Sequence, residues 1–77
     1  MEIQLTEEEM KEKAVAYLKN HYSEDTVRMD ILKNTLVDGS GEMHVDITVS
    51  VAGRKSDWEK WFTFQNGNVT NMRWKMK

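Results

Sequence analysis

The side chains able to do chemistry are few in this 77-residue chain: two histidines, no cysteine and several short acidic or hydroxyl-bearing stretches. His44 and Asp46 stand two residues apart, the spacing that puts two metal ligands on one face of a strand. With His21 the only other histidine and no thiolate available, nothing completes a ligand set. Glu7, Glu8 and Glu9 could gather a cation, but the start of a helix accounts for them fully. Ser, His and Asp all occur, yet no spacing sets a nucleophile against a base. Gly39-Ser40-Gly41 is not followed by a helical pattern, so it marks a turn and not a phosphate-binding loop. The chain therefore carries no expected catalytic, cofactor-binding or metal-ligating residue, and the expectation is a non-enzyme without cofactors. What remains is recognition. Trp61, with Arg73, Lys75, Thr48 and Thr63, is the candidate binding set, since Trp and Arg are the residues most enriched at binding hot spots.

Those residues can act only if a small domain presents them. The length allows one core, so residues 1–77 are read as a single domain. Absence of cysteine excludes a disulfide framework, and no apolar run is long enough to insert into a membrane. The formal net charge is −2, and an isoelectric point near 5.6 argues against a dedicated nucleic-acid binder. The charge is unevenly placed: residues 1–25 hold seven acidic and three basic groups, residues 26–77 six and eight. The residues after Met1 lack the basic start and apolar stretch of a secretory signal. A native start at Met1 implies the cytoplasm; a domain excised from a longer chain would suit a secreted or cell-envelope protein.

The first element is a helix over about 7–22. Thr6-Glu7-Glu8-Glu9 fits a capping box, and Leu5 with Met10 fits a hydrophobic staple. Met10, Ala14, Val15, Tyr17, Leu18, His21 and Tyr22 share one arc at 100° per residue. His21 is expected at the core edge, bonded to a backbone carbonyl. From about 26 onward the period falls to two. Met43, Val45, Ile47, Val49 and Val51 alternate with polar residues in a strand over about 42–52. Trp58, Phe62 and Phe64 mark another over 57–65, and Met72, Trp74 and Met76 one over 68–76. Residues 26–37 read either as a strand with a β-bulge near Ile31 to Asn34, because the apolar parity flips there, or as a second helix. The Gly-rich turn that follows, leading straight into a strand, favours the bulged strand. The fold class is α+β, one N-terminal amphipathic helix packed on a curved antiparallel meander of three to four strands.

Parity then assigns faces. A two-residue Asn66-Gly67 turn would divide the aromatic residues between both faces. A three-residue Gln65-Asn66-Gly67 loop with Gly67 at positive φ pairs Trp58 with Trp74 on the helix side and leaves Trp61 opposite Asn71 outside. A loop of about four residues before it places Thr48 beside Trp61 and Ile47 beside Phe62.

Leu5-Thr6-Glu7-Glu8-Glu9-Met10 with Ala14, and Trp61-Phe62-Thr63-Phe64 before Gly67-Asn68-Val69, resemble the acidic helix start and terminal strand–turn–strand of PepSY-type domains, small modules within the cystatin-like shape. Gln65-Asn66 departs from the Asp-Ala pair that usually precedes that turn. The resemblance implies a non-catalytic, often inhibitory or regulatory, protein-binding module outside the cytoplasm. The expected function is thus protein interaction through the outer sheet face or a hairpin edge, by a monomer or weak dimer. Two alternatives are a stand-alone inhibitor from a phage or other mobile element acting on a host protein, and a single-stranded nucleic-acid binder using Trp61 with Arg73 and Lys75.

Overall fold

Thr6 opens the helix as the capping box requires. Its hydroxyl accepts the Glu9 backbone N–H at 3.1 Å, and its own N–H donates to the Glu9 carboxylate at 3.3 Å. The computed structural model describes residues 6–77; the proposed staple residue Leu5 lies outside them. Helix α1 runs Glu7–Tyr22 with Glu7, Glu8 and Glu9 in its first turn, where acidic groups complement the helix dipole. It ends at Ser23, whose left-handed φ of 55° turns the chain so that the Ser23 N–H donates to the Lys19 carbonyl and the Glu24 N–H to that of Leu18. Thr6→Ala is expected to cost about 1 kcal/mol in urea denaturation, since the Glu9 N–H loses its acceptor; an unchanged midpoint would mean the cap is not what holds this end.

Four strands follow, β1 (Asp25–Asn34), β2 (Gly41–Val51), β3 (Arg54–Gln65) and β4 (Asn68–Met76), in one antiparallel sheet of spatial order β1-β2-β3-β4. The α+β helix-on-meander expectation is met. The ambiguous segment is a strand and not a second helix. It carries two register breaks, at Val27 and Leu32, the second where the parity change predicts it. An extra residue at each break absorbs the change of face and leaves Val27 and Leu32 largely exposed.

The helix covers one face of the sheet. Met10, Ala14 and Leu18 meet Met43, Val45, Ile47 and Val49 of β2, Phe62 and Phe64 of β3, and Met72 of β4 in one buried cluster. His21 is not in it: the buried helix line is the i, i+4, i+8 set, and His21 sits exposed on the flank against Tyr17, ring centroids 4.4 Å apart.

Two loop expectations need correction. The β2–β3 connection is a two-residue turn, Ala52-Gly53, with φ of 52° and 81°. Val51 therefore pairs with Arg54, Ile47 with Trp58, and Thr48 with Asp57 rather than Trp61. Alanine does not advertise a left-handed turn position as Asn or Gly does, so the Gly53-Arg54-Lys55-Ser56 stretch reads as loop from sequence while Arg54 already belongs to β3. The β3–β4 connection is also two residues, Asn66-Gly67, between paired Gln65 and Asn68. Gly67 has the expected positive φ, 81°. Its N–H donates to the Gly39 carbonyl at 2.9 Å, tying this turn to the β1–β2 turn. The divided aromatic set that a two-residue turn implies is avoided by a bulge at Thr70: Phe64 pairs with Val69, but Thr63 pairs with Asn71. Beyond it Phe62 faces Met72, Lys60 faces Trp74 and Trp58 faces Met76, all on the helix side.

Candidate protein-binding face

Among the described residues, the opposite sheet face carries no helix. Its side chains come from alternate positions: Arg28, Asp30 and Lys33 of β1; Glu42, His44, Asp46 and Thr48 of β2; Asp57, Glu59, Trp61 and Thr63 of β3; Asn71, Arg73 and Lys75 of β4. Parity alone sends Trp61 here. Phe62 and Phe64 are buried on the other side, so their odd-numbered neighbours point out.

Trp61 is the centre of this face. Across β2 it pairs with His44, and the two rings stack with centroids 4.4 Å apart and planes 9° from parallel. Across β4 it pairs with Arg73, whose guanidinium carbon lies 5.5 Å from the ring centroid. Because β2 and β4 flank β3 on opposite sides, the indole stands between a flat imidazole and a guanidinium. Arg73 also donates to Glu42 at 3.0 Å. The His44 Nε2 is buried without a hydrogen-bond partner; the nearest carboxylate oxygen, on Glu59, is 3.9 Å away. Beside the indole, Lys33, Thr35, Glu42, His44 and Trp61 line a shallow groove of about 300 Å³.

The expected binding residues divide. Trp61 and Arg73 are in contact, Thr63 follows on the same strand opposite Glu42 and Asn71, and Lys75 lies next along β4, opposite Glu59. Thr48 is on this face but belongs elsewhere. Four positions from His44, it is about 13 Å along the strand, where its hydroxyl donates to Asp57 at 2.6 Å. The Arg28–Asp46–Lys77 cluster adjoins it. Hydrogen bonding from Lys77, then from Arg28, holds the Asp46 carboxyl below the ordinary aspartate range. A lowered pKa stabilises the fold above the unfolded value, and that contribution disappears as pH falls through the lowered one. Asp46 is thus committed to two cations, and His44 to Trp61. Among the described residues no group of three or more His, Cys, Asp or Glu is placed to hold a metal, and no helix is long and apolar enough to cross a membrane.

Sequence reasoning missed His44 as the partner of Trp61, because a four-residue shift in the β2–β3 register sets Thr48 there instead. The Ala52-Gly53 turn that sets this pairing carries no clear mark in the sequence, because alanine rarely adopts a positive φ.

A second polar feature lies on the helix side. Lys60 occupies a core-facing position with only 3% of its side chain exposed, and its ammonium bonds Glu24 at 2.8 Å. The Trp58 and Tyr22 rings lie 5.3 and 5.8 Å from the same nitrogen. Burial of a lysine is tolerated only with such partners. Comparison of the chain with protein-family models, with curated proteins and with solved structures gives no match, so the likeness to PepSY-type domains rests on the residues quoted for it.

Proposed function

We propose that this chain is a non-enzymatic protein-interaction module, inhibitory or regulatory, that engages its partner through the open sheet face around Trp61. The observation that carries this is the indole clamped between His44 and Arg73 on a face that no helix covers among the described residues. A large side chain already ordered loses little freedom on binding, which is what makes Trp and Arg effective anchors. The groove beside it gives a partner side chain a place to enter. A stacking platform for single-stranded nucleic acid is less well supported: both π-faces of Trp61 are occupied within the chain, and Arg73 is paired to Glu42. Trp61→Ala and Arg73→Ala proteins, each checked for native circular dichroism, are expected to lose affinity for the partner recovered by wild-type protein, with little dependence on salt. Undiminished binding by folded Trp61→Ala would remove this face from the function. Binding to oligo-dT that weakens steeply with salt would replace the proposal with nucleic-acid recognition.

A further inference from the structure

The two edges of the sheet are not alike. β1 is broken twice, at Val27 and Leu32, and such bulges are a common guard against strand addition. The single break in β4 falls at Thr70, near the turn; from Met72 to Met76 the ladder to β3 is continuous, and among the described residues no strand lies on its far side. The helix-side residues of this stretch are unusually bare for their size: Trp74 is 55% and Met76 63% exposed. They adjoin an apolar groove of about 200 Å³ between Tyr22, Trp58, Met72 and Trp74, with the Lys60–Glu24 pair at its wall. The outer-face positions of the same strand are Arg73 and Lys75, with Lys77 following. Of these, Lys75 makes no ion pair among the described residues, whereas Arg73 and Lys77 reach Glu42 and Asp46.

We infer that the β4 edge accepts an added strand from a partner protein, an extended segment alternating apolar with acidic residues. The inference rests on the protein-binding reading above and names where and by what such a partner is held. Strand addition draws affinity from main-chain hydrogen bonds and specificity from alternate side chains. Apolar side chains of the incoming strand would cover Trp74 and Met76 and enter the groove; the intervening acidic ones would lie beside Arg73 and Lys75. A second copy of this chain is disfavoured in most registers. Antiparallel two-fold pairing of β4 centred on Arg73, Trp74, Lys75 or Met76 sets cation against cation on the outer face, which opposes association. The same charges that disfavour a like strand admit an acidic one.

The test is titration of the ¹⁵N-labelled protein with a capped synthetic peptide of alternating Glu and Val, and with its Lys–Val counterpart. Expected are amide shifts and hydrogen-exchange protection concentrated at Met72–Met76, a shift of the Trp74 indole, and binding by the Glu–Val peptide only. Lys75→Glu, with its thermal melt checked, should weaken that binding by about fivefold, one favourable cross-strand pair having become a like-charge pair. Shifts centred on Trp61 and His44 with β4 unmoved would overturn the edge site and leave the protein-binding reading standing. Absence of any shift, equal binding of both peptides, or self-association through β4 in sedimentation would overturn the edge site as well.

Discussion

Glu24→Ala is expected to destabilise the domain by about 3 kcal/mol in urea denaturation, while Lys60→Met leaves stability unchanged or raises it. The opposite outcomes follow from one ion pair. Removing Glu24 leaves the Lys60 ammonium buried against the Trp58 and Tyr22 rings with no carboxylate, and breaking a buried pair from one side typically costs 3–5 kcal/mol. The lower end applies because Glu24 keeps 14% of its side chain exposed, so water can approach the vacated place. Replacing Lys60 by Met removes the charge and its desolvation cost together, keeps a similar side-chain length, and extends the apolar row of Phe62 and Phe64. Glu24, freed, can turn to solvent. Equal losses in both variants would show that the pair attracts by more than its desolvation costs.

Phe62→Ala is expected to cost about 3–5 kcal/mol, and Trp61→Ala, one residue away, about 1 kcal/mol through lost cross-strand contact. Phe62 is fully buried among Met43, Met72 and the helix, and removing it leaves a cavity at the centre of the core. At 0.05–0.15 kcal/mol per residue a chain of this length has roughly 4–12 kcal/mol in all, so the Phe62 variant forfeits at least about a quarter of the total stability. Trp61 leaves only its stacking with His44 and Arg73 behind. Trp74→Ala should resemble Trp61→Ala, being more than half exposed despite lying on the helix side. Comparable losses at Phe62 and Trp61 would contradict the assignment of faces.

Trp74 shows where sequence parity stops. Alternation assigns a residue to a face; it does not say that anything covers it. The helix ends at Tyr22, whose ring meets Trp74 edge-on at 6.2 Å, and Trp74 stays more than half exposed. Lys60 shows the converse. On pattern it is a lysine at an inward position of a strand, and only the return of the chain through Glu24, 36 residues earlier, supplies its partner.

Local chemistry, then, was legible in the residues themselves. The Thr6–Glu9 cap, the alternation of Met43 to Val51, the parity break near Leu32 and the positive φ of Gly67 each depend on neighbours a few positions away. Register was not. The Ala52-Gly53 turn and the bulge at Thr70 displace pairing by whole residues while keeping Met43, Val45, Ile47, Val49, Trp58, Phe62, Phe64, Met72 and Trp74 on the helix side, so the pattern tolerates several pairings. Which of them forms is settled by how the inward side chains of adjacent strands pack beneath the helix, with Met43 against Phe62 and Phe62 against Met72. That packing, and not the alternation, is what brings His44 and Arg73 to either side of Trp61, because cross-strand neighbours are set by the sum of all such contacts along a ladder.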